Sequence, residues 1–235
     1  MLKNRVVALT YRIVAFLVII FGLLYNLGIF SGTLHSVLLL YYTIESNIAA
    51  LVLFGVFIFL TARKIKTDGT KGSNSFFPRT TAGVTIAIML TFLVFWCVLF
   101  PFASEEDRAL ITSYDNLSIH FIAPLLMLFD YILFCESGRL KKFDPLYYAI
   151  VPLVYLIITL FIGFSGRVVY QIPGLERWSY FPYFFLDPEK VGLWMIAFIA
   201  GLTAFYLGLC YFTLWIDKKR GKREAKKQPI KTHIS

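Results

Sequence analysis

A polar stretch at residues 41–47, Tyr-Tyr-Thr-Ile-Glu-Ser-Asn, interrupts a long apolar segment of the chain. Keeping such groups inside a membrane costs free energy, so ionisable residues at this kind of position indicate a functional site. On a helix, Thr43 and Asn47 are four residues apart and share one side with Ser46, whereas Glu45 projects from roughly the opposite side. The sequence therefore predicts a polar stripe of Thr43, Ser46 and Asn47 and a separate environment for Glu45.

A second apolar segment contains a histidine at helical spacing from an asparagine, Asn116 and His120. A threonine hydroxyl is a poor nucleophile unless a base such as imidazole accepts its proton. At a rise of 1.5 Å per residue, Thr43 lies about 10 Å and His120 about 6 Å below the outer membrane surface. The two side chains can therefore meet if their helices are neighbours. They predict a nucleophile and a general base that attack an ester carbonyl and form an acyl-threonine, which water then hydrolyses.

Other polar groups near the pair have less specific roles. Ser46, Asn47, Asn116 and Ser118 are predicted to support the site or to donate hydrogen bonds to a developing oxyanion. A structural interpretation stays open, because a threonine in a membrane helix often bonds its own backbone and a lone histidine often links helices.

The carboxylates have a different interpretation. Asp130 lies about 15 Å deeper than His120 and cannot reach the same atom. Asp130 and Glu45 are interpreted as structural partners of Tyr, Trp or Ser side chains on neighbouring helices, with a proton-relay role as the alternative. No second ligand stands at metal-binding spacing around His120, so we expect neither a metal nor a cofactor.

The elements that position these residues are predicted to be membrane helices. The 235-residue chain is 58% hydrophobic and 16% charged, which excludes an ordinary soluble protein. A bilayer needs about 20 apolar residues per helix. Six segments qualify, at about 7–30, 36–61, 82–101, 117–135, 146–164 and 191–215. We expect an all-α integral membrane protein with one six-helix domain over residues 1–216, a basic tail over 217–235 and no soluble domain.

The distribution of charge predicts the orientation. Basic residues concentrate before the first span, after the second and fourth spans and in the tail, whereas the third loop is acidic. By the positive-inside rule both termini are cytoplasmic. The tail is expected to lie against anionic lipid head groups rather than nucleic acid. The Gly/Ser/Asn-rich stretch 67–75 is typical of a flexible cytoplasmic linker.

The last outer loop carries an aromatic segment at 178–188, Trp-Ser-Tyr-Phe-Pro-Tyr-Phe-Phe-Leu-Asp-Pro. Aromatic side chains favour the head-group level, so an interfacial anchor is the simpler interpretation. The alternative is a lid over a lipid-accessible cavity, with Trp178, Tyr180, Tyr183 and Asp187 as its residues.

Three motifs occur in order along the chain: Tyr42-Thr43 with Ser46-Asn47, then Asn116-x-x-x-His120-x-x-x-Pro124 followed by Asp130, then residues 180–188. Together they resemble the bacterial branch of the androgen-induced-gene/FAR-17a-like family of six-helix membrane proteins. One departure is that animal members carry an asparagine three residues after the threonine, where this chain has Ser46 and places Asn47 one residue later.

The resemblance implies a function. Animal members of the family hydrolyse fatty acid esters of hydroxy fatty acids with a membrane threonine and histidine, which implies Thr43 as nucleophile and His120 as base. The implied partners are membrane lipids and a lipid ester substrate, and the implied location is a bacterial plasma membrane. Two alternatives stay open: acyl transfer to a lipid acceptor by the same pair, and non-enzymatic lipid binding or transport with Glu45 and Asp130 as ion-linked carboxylates.

Overall fold

The computed structural model describes residues 1–171 and 178–226 of the chain. In this part, six helical segments are long and apolar enough to cross a membrane, which we call spans 1 to 6. Their bounds are Arg5–Asn26, Tyr42–Asp68, Pro78–Phe102, Tyr114–Phe134, Asp144–Ser165 and Trp194–Lys226. The predicted all-α architecture with six membrane helices is confirmed.

Short elements occupy the loops. Helical turns cover Ser36–Leu40, Glu105–Ile111, Phe184–Leu186 and Pro188–Val191. Two short antiparallel strands, Tyr170–Gln171 and Trp178–Ser179, lie in the loop between spans 5 and 6. These elements all belong to the loops that follow spans 1, 3 and 5, so they gather at one end of the bundle.

The other end, which we call the basic end, contains both ends of the described chain. The amide of Leu2 donates to the carbonyl of Leu133 (2.7 Å), and the guanidinium of Arg220 donates to the carbonyl of Ile132 (2.8 Å). The N-terminal residues and the end of span 6 therefore contact the same turn of span 4. That both lie on one side follows from the even number of spans.

Span 2 begins later than predicted, at Tyr42 rather than near residue 36. Residues 36–40 form a separate turn, and Tyr41 has an extended backbone between the two helices. The ring of Tyr41 packs edge-on against Tyr170 at 5.5 Å and Tyr183 at 5.8 Å. Because this break depends on packing against a distant loop, hydropathy alone did not reveal it. Thr43 consequently lies in the first turn of its helix.

One helix runs from Trp194 to Lys226, so residues 217–226 of the predicted basic tail continue the helix of span 6. Lysine and arginine favour helix, and their apolar stems let them extend a membrane helix into the interface. Asp217, on this stretch, is buried and accepts hydrogen bonds from the amides of Gly138 (2.9 Å) and Leu140 (3.0 Å). Residues 227–235 of the predicted tail lie outside the described residues.

The predicted flexible linker at 67–75 is packed against the N-terminal segment. The amide of Gly72 donates to the carbonyl of Lys3 (2.8 Å), and the side chain of Asn74, which is buried, donates to the carbonyl of Leu2 (3.0 Å). The glycines and serines therefore allow close backbone approach at this position. Composition alone predicted mobility because it could not show the partner.

A buried ion pair joins spans 1 and 4 towards the basic end. The guanidinium of Arg12 binds the carboxylate of Asp130 at 2.8 Å, and both side chains are 1% exposed. Arg12 also donates to the Thr61 hydroxyl (2.8 Å) and the Asn74 carbonyl (3.0 Å), and it lies 4.6 Å from the centre of the Phe57 ring. The partner expected for Asp130 was Tyr, Trp or Ser, so that prediction is wrong.

Spans 1, 2 and 4 pack against one another. Small residues let these helices approach closely, and Gly22 of span 1 faces Ser118 of span 4 so closely that a Cβ at residue 22 would overlap it. Such small-residue contacts replace the hydrophobic driving force that lipid does not supply. This packing brings the start of span 2 against the first turns of span 4, where the polar residues lie.

Candidate active site

Thr43 and His120 meet in the structure. The hydroxyl oxygen of Thr43 lies 3.3 Å from Nε2 of His120, and both side chains are buried. The contact joins span 2 to span 4, which were assumed to be neighbours in the sequence analysis. The pair is thus within hydrogen-bonding distance before any substrate binds.

The other ring nitrogen of His120 defines the tautomer. Nδ1 lies 3.0 Å from the backbone carbonyl oxygen of Asn116. A carbonyl only accepts hydrogen bonds, so Nδ1 carries the proton and donates it, which leaves Nε2 as an acceptor for the Thr43 hydroxyl. In this arrangement the histidine is oriented to act as a general base, with a backbone carbonyl in the place that a carboxylate takes in hydrolase triads.

Two π-helical turns hold the histidine. Residues Ser118–Ile122 of span 4 and Phe95–Leu99 of span 3 are both wound as π-helix. The ring of Phe95 stacks on the His120 imidazole, with ring centres 3.9 Å apart and an interplanar angle of 21°. Such turns are rare and frequently occur at functional sites. A sequence signal for them is the proline that follows each turn, Pro101 and Pro124, since proline removes a helical N–H donor.

Ser46 and Asn47 connect the helices around the pair. The Asn47 amide donates to the carbonyls of Thr43 (2.8 Å) and Ile119 (3.0 Å), and the Ser46 hydroxyl contacts both the Thr43 carbonyl and the Thr91 hydroxyl at 3.0 Å. The donors of these two side chains are therefore engaged with the protein rather than directed at a reacting group. Asn47 thus links the Thr43 carbonyl of span 2 to the Ile119 carbonyl of span 4. We call this link the clamp, and it sets the distance between Thr43 and His120.

Replacing Asn47 with leucine is expected to loosen this clamp. The change keeps a similar volume but leaves the Ile119 carbonyl without its side-chain donor, which costs about 1–3 kcal/mol. Thermal unfolding in detergent should show the loss of stability. Activity should fall by more than the loss of folded protein explains, because Thr43 and His120 separate. The exposed neighbour Ile48 supplies the control, since Ile48→Leu changes no contact between spans 2 and 4. Unchanged melting of Asn47→Leu would contradict the clamp.

Asn116 and Ser118 act locally. The Asn116 amide donates to the Ser113 hydroxyl (3.3 Å), and the Ser118 hydroxyl donates to the Tyr114 carbonyl (2.8 Å). Neither Asn116 nor Ser118 is among the described residues that line the cavity next to Thr43. Their predicted donation to an oxyanion therefore has no support from the geometry, because their side chains stabilise the first turns of span 4.

The pair lies in the wall of an apolar cavity of about 120 Å³. Spans 3, 5 and 6 supply most of the wall, and residues from span 2, span 4 and the 178–186 loop complete it. The apolar lining includes Val94, Leu99, Ala149, Pro152, Leu156, Ile199 and Leu202. Leu153 of span 5 lines the cavity and is also 39% exposed. The cavity therefore reaches the surface between the helices.

Four tyrosines in this wall were not predicted as a group: Tyr42, Tyr155, Tyr183 and Tyr206. The Tyr206 hydroxyl donates to the Tyr148 carbonyl (3.3 Å), which Pro152 leaves without its helical partner. The Tyr155 hydroxyl donates to the Leu40 carbonyl (3.1 Å), next to the break before span 2. These two phenols thus donate to backbone carbonyls at Pro152 and at the break before span 2.

The aromatic loop closes one side of the cavity. Of its predicted lid residues, Tyr183 lines the cavity, whereas Trp178 is 59% exposed and Tyr180 packs beside it. Asp187 is buried and accepts hydrogen bonds from the Ser179 hydroxyl (2.7 Å) and the Glu189 amide (3.0 Å), so it stabilises the turn. Phe185 and Leu186, which the sequence analysis had not chosen, also contribute to the wall.

Glu45 projects away from the pair, as its helical position predicts. It is exposed and lies in a second groove formed with span 5, where Val154, Tyr155 and Ile158 are neighbours. Within the described part of the chain, no hydrogen bond or ion pair to its carboxylate is found. Its position in the first turn of span 2 is favourable, because a negative charge there complements the helix dipole.

Comparison with models of known protein families finds no match for this chain, and comparisons with curated proteins and with solved structures find none either. Function must therefore be inferred from the site itself, because a helical membrane fold is compatible with many activities.

Proposed function

We propose that the protein is an intramembrane hydrolase of lipid esters, with Thr43 as nucleophile and His120 as general base. The observation that carries the proposal is the 3.3 Å contact between the Thr43 hydroxyl and a His120 Nε2 that the Asn116 carbonyl holds in the accepting tautomer. A threonine with only a structural role does not require an oriented base next to its hydroxyl. A histidine with only a structural role does not require a cavity beside its ring. Here the hydroxyl, the base and an apolar cavity occur together.

The reaction uses two steps. In the first, Nε2 of His120 takes the proton as the Thr43 oxygen attacks the ester carbonyl, and the tetrahedral intermediate expels the alcohol, which takes that proton back. In the second, His120 takes a proton from water, which attacks the acyl-threonine and releases the fatty acid. The Asn116 carbonyl stabilises the imidazolium formed in each step through the Nδ1–H hydrogen bond.

The shape of the cavity favours a lipid substrate. Its wall is apolar except for tyrosine and threonine hydroxyls and His120, which suits the region around an ester flanked by acyl chains. A volume of about 120 Å³ holds only a short part of such a molecule. The remaining chains would lie in the bilayer and pass between spans 5 and 6 past Leu153.

The substrate class rests on the resemblance to the androgen-induced-gene/FAR-17a-like family. That resemblance favours a fatty acid ester of a hydroxy fatty acid, drawn from the outer leaflet of a bacterial plasma membrane. The order of the motifs that supply Thr43, His120 and the aromatic loop is part of that resemblance. We adopt this class as the first substrate to test.

Acyl transfer to a lipid alcohol is the second candidate. The observation that favours it is the apolar wall, since a site with few polar groups holds little water to hydrolyse an acyl-threonine. Product that forms only when an acceptor alcohol is added would indicate transfer.

For lipid or ion transport, Glu45 and Asp130 would have to share a path, yet Asp130 is paired with Arg12 and Glu45 faces the opposite side of span 2 from Thr43.

The direct test is covalent labelling with an alkyl fluorophosphonate. An activated hydroxyl nucleophile attacks its phosphorus and displaces fluoride. Purified protein in detergent is incubated with the probe, digested and mapped by mass spectrometry. We expect an adduct on Thr43 that is absent from His120→Ala and retained in Thr91→Ala, whose hydroxyl lines the same cavity but contacts Ser46. If a control serine hydrolase reacts in the same detergent while Thr43 stays unmodified, the proposal is wrong.

A further inference from the structure

The first turn of span 2 exposes backbone donors beside the nucleophile. The Tyr41 carbonyl accepts the amides of Ile44 (3.0 Å) and Glu45 (3.2 Å), so regular helical bonding starts there. The amides of Tyr42 and Thr43 precede those bonds and belong to the N–H groups that a helix leaves without an internal acceptor. The phenol oxygen of Tyr183 lies against both amides, the Thr43 hydroxyl and the Tyr155 hydroxyl.

Tyr183 is held in this position by the aromatic loop. Its ring stacks on Phe185, with ring centres 5.3 Å apart and an interplanar angle of 2°, and meets Tyr41 edge-on at 5.8 Å. Its carbonyl accepts the amide of Leu186 (3.0 Å) in the turn that follows. The phenol is therefore placed by packing on both sides of the ring.

A second observation indicates that this corner of the cavity receives a polar ligand atom. The Tyr42 hydroxyl is buried and, among the described residues, has no hydrogen-bond partner, although the residue lines the cavity. A buried hydroxyl without a partner costs free energy, which a ligand oxygen can recover. The cavity wall thus carries a second phenol, Tyr42, in addition to the Tyr183 phenol beside the Thr43 hydroxyl.

We propose that Tyr183 is a catalytic residue whose phenol, held in place by the Tyr42 and Thr43 backbone amides, donates a hydrogen bond to the oxyanion formed from the ester carbonyl. This inference rests on the proposed hydrolase function and names the group that function lacks, since Ser46, Asn47, Asn116 and Ser118 direct their donors elsewhere. Burial raises the pKa of the Tyr183 phenol to about 12, so the proton it donates stays in place at neutral pH.

The Thr43 oxygen forms a bond to the carbonyl carbon while its proton moves to His120, and the carbonyl π electrons move to the carbonyl oxygen. That oxygen accepts a hydrogen bond from the Tyr183 phenol, with no proton transferred. When the C–O bond to the alcohol breaks, the electrons return to restore the carbonyl and the alcohol takes the proton from His120.

Steady-state hydrolysis of a fluorogenic medium-chain ester by Tyr183→Phe tests the inference. Loss of one oxyanion donor is expected to lower kcat by about 10²–10³-fold with little change in KM. Tyr180→Phe is the matched control, because Tyr180 lies on the same loop but outside the cavity wall. A kcat for Tyr183→Phe within about threefold of wild type would overturn the inference.

A trifluoromethyl ketone supplies a second readout, since it adds to a serine- or threonine-type nucleophile to give a stable oxyanion. Its inhibition constant should rise in Tyr183→Phe by the same factor as kcat/KM falls, as expected for a group that acts in the transition state. An equal rise for an unreactive ester analogue would show a structural role instead. Thermal unfolding checks that Tyr183→Phe is folded. Replacement of Tyr183 by 3-fluorotyrosine keeps the ring and strengthens the hydrogen-bond donor. It therefore repeats the kinetic test in a protein with native packing.

The inference and the proposed function fail differently. Wild-type turnover that requires Thr43 but not the Tyr183 hydroxyl would overturn the inference alone. Wild-type protein without Thr43-dependent turnover or labelling would overturn both.

Discussion

Thr43→Ala is expected to lower kcat for ester hydrolysis by about 10⁴-fold or more, because the nucleophile is lost and the remaining groups act as a unit. Thr43→Ser should retain measurable turnover, since it keeps the hydroxyl that contacts His120. Thr91→Ala is the matched control for a cavity threonine, as its hydroxyl contacts Ser46 rather than the base. The measurement is initial rate against substrate concentration in detergent or in vesicles.

His120 supplies a further check on the same prediction. If the two residues form one catalytic unit, the variant that carries both Thr43→Ala and His120→Ala should be no slower than either single variant. Two independent losses would multiply instead. A Thr43→Ala protein that retains more than about a tenth of wild-type activity would exclude threonine as the nucleophile, provided that mass analysis shows no wild-type contamination.

Arg12→Met is expected to lower the free energy of unfolding by about 3–5 kcal/mol, the largest stability effect of any single change considered. The reason is that Asp130 would keep a buried carboxylate without its counter-charge. Thr61 and the Asn74 carbonyl would also lose the donors that Arg12 provides. Unfolding in mixed detergent, followed by circular dichroism, measures the change.

The double variant Arg12→Met with Asp130→Leu separates the charge effect from packing. Replacing a buried ion pair with apolar residues of similar size is often neutral, so much of the lost stability should return. Lys64→Met provides the surface control, because its pair with Asp68 is exposed on both sides and is expected to contribute no more than about 1 kcal/mol. A loss as small for Arg12→Met as for Lys64→Met would show that Arg12 and Asp130 are solvated.

The sequence by itself determined the number and approximate position of the spans. Length and hydropathy are sufficient for this, since each span must satisfy its backbone within one helix and cover about 30 Å of hydrocarbon. The 3.6-residue period also placed Thr43 with Asn47, separated Glu45 from them and put Asn116 with His120. Charge in the loops predicts the orientation and the resemblance predicts the substrate class; both stay predictions.

The boundaries and the partners depended on tertiary structure. Whether the second helix starts at 36 or 42 depends on the packing of Tyr41 against Tyr170 and Tyr183, more than 120 residues later in the chain. The pairing of Arg12 with Asp130 likewise joins residues 118 positions apart. A local pattern carries no information on such contacts, so it predicted a Tyr, Trp or Ser partner for Asp130 and described 67–75 as a flexible linker.

The candidate site divides in the same way. Residue types and spacing were enough to select Thr43 and His120, because a nucleophile and a base are recognisable chemical types at a common depth. The tautomer of His120, the ring stacking of Phe95 and the position of Tyr183 depended on the fold. The last of these required a loop more than 130 residues after Thr43 to pack against the first turn of span 2, and only tertiary packing can fix a distance between groups that the chain itself leaves far apart.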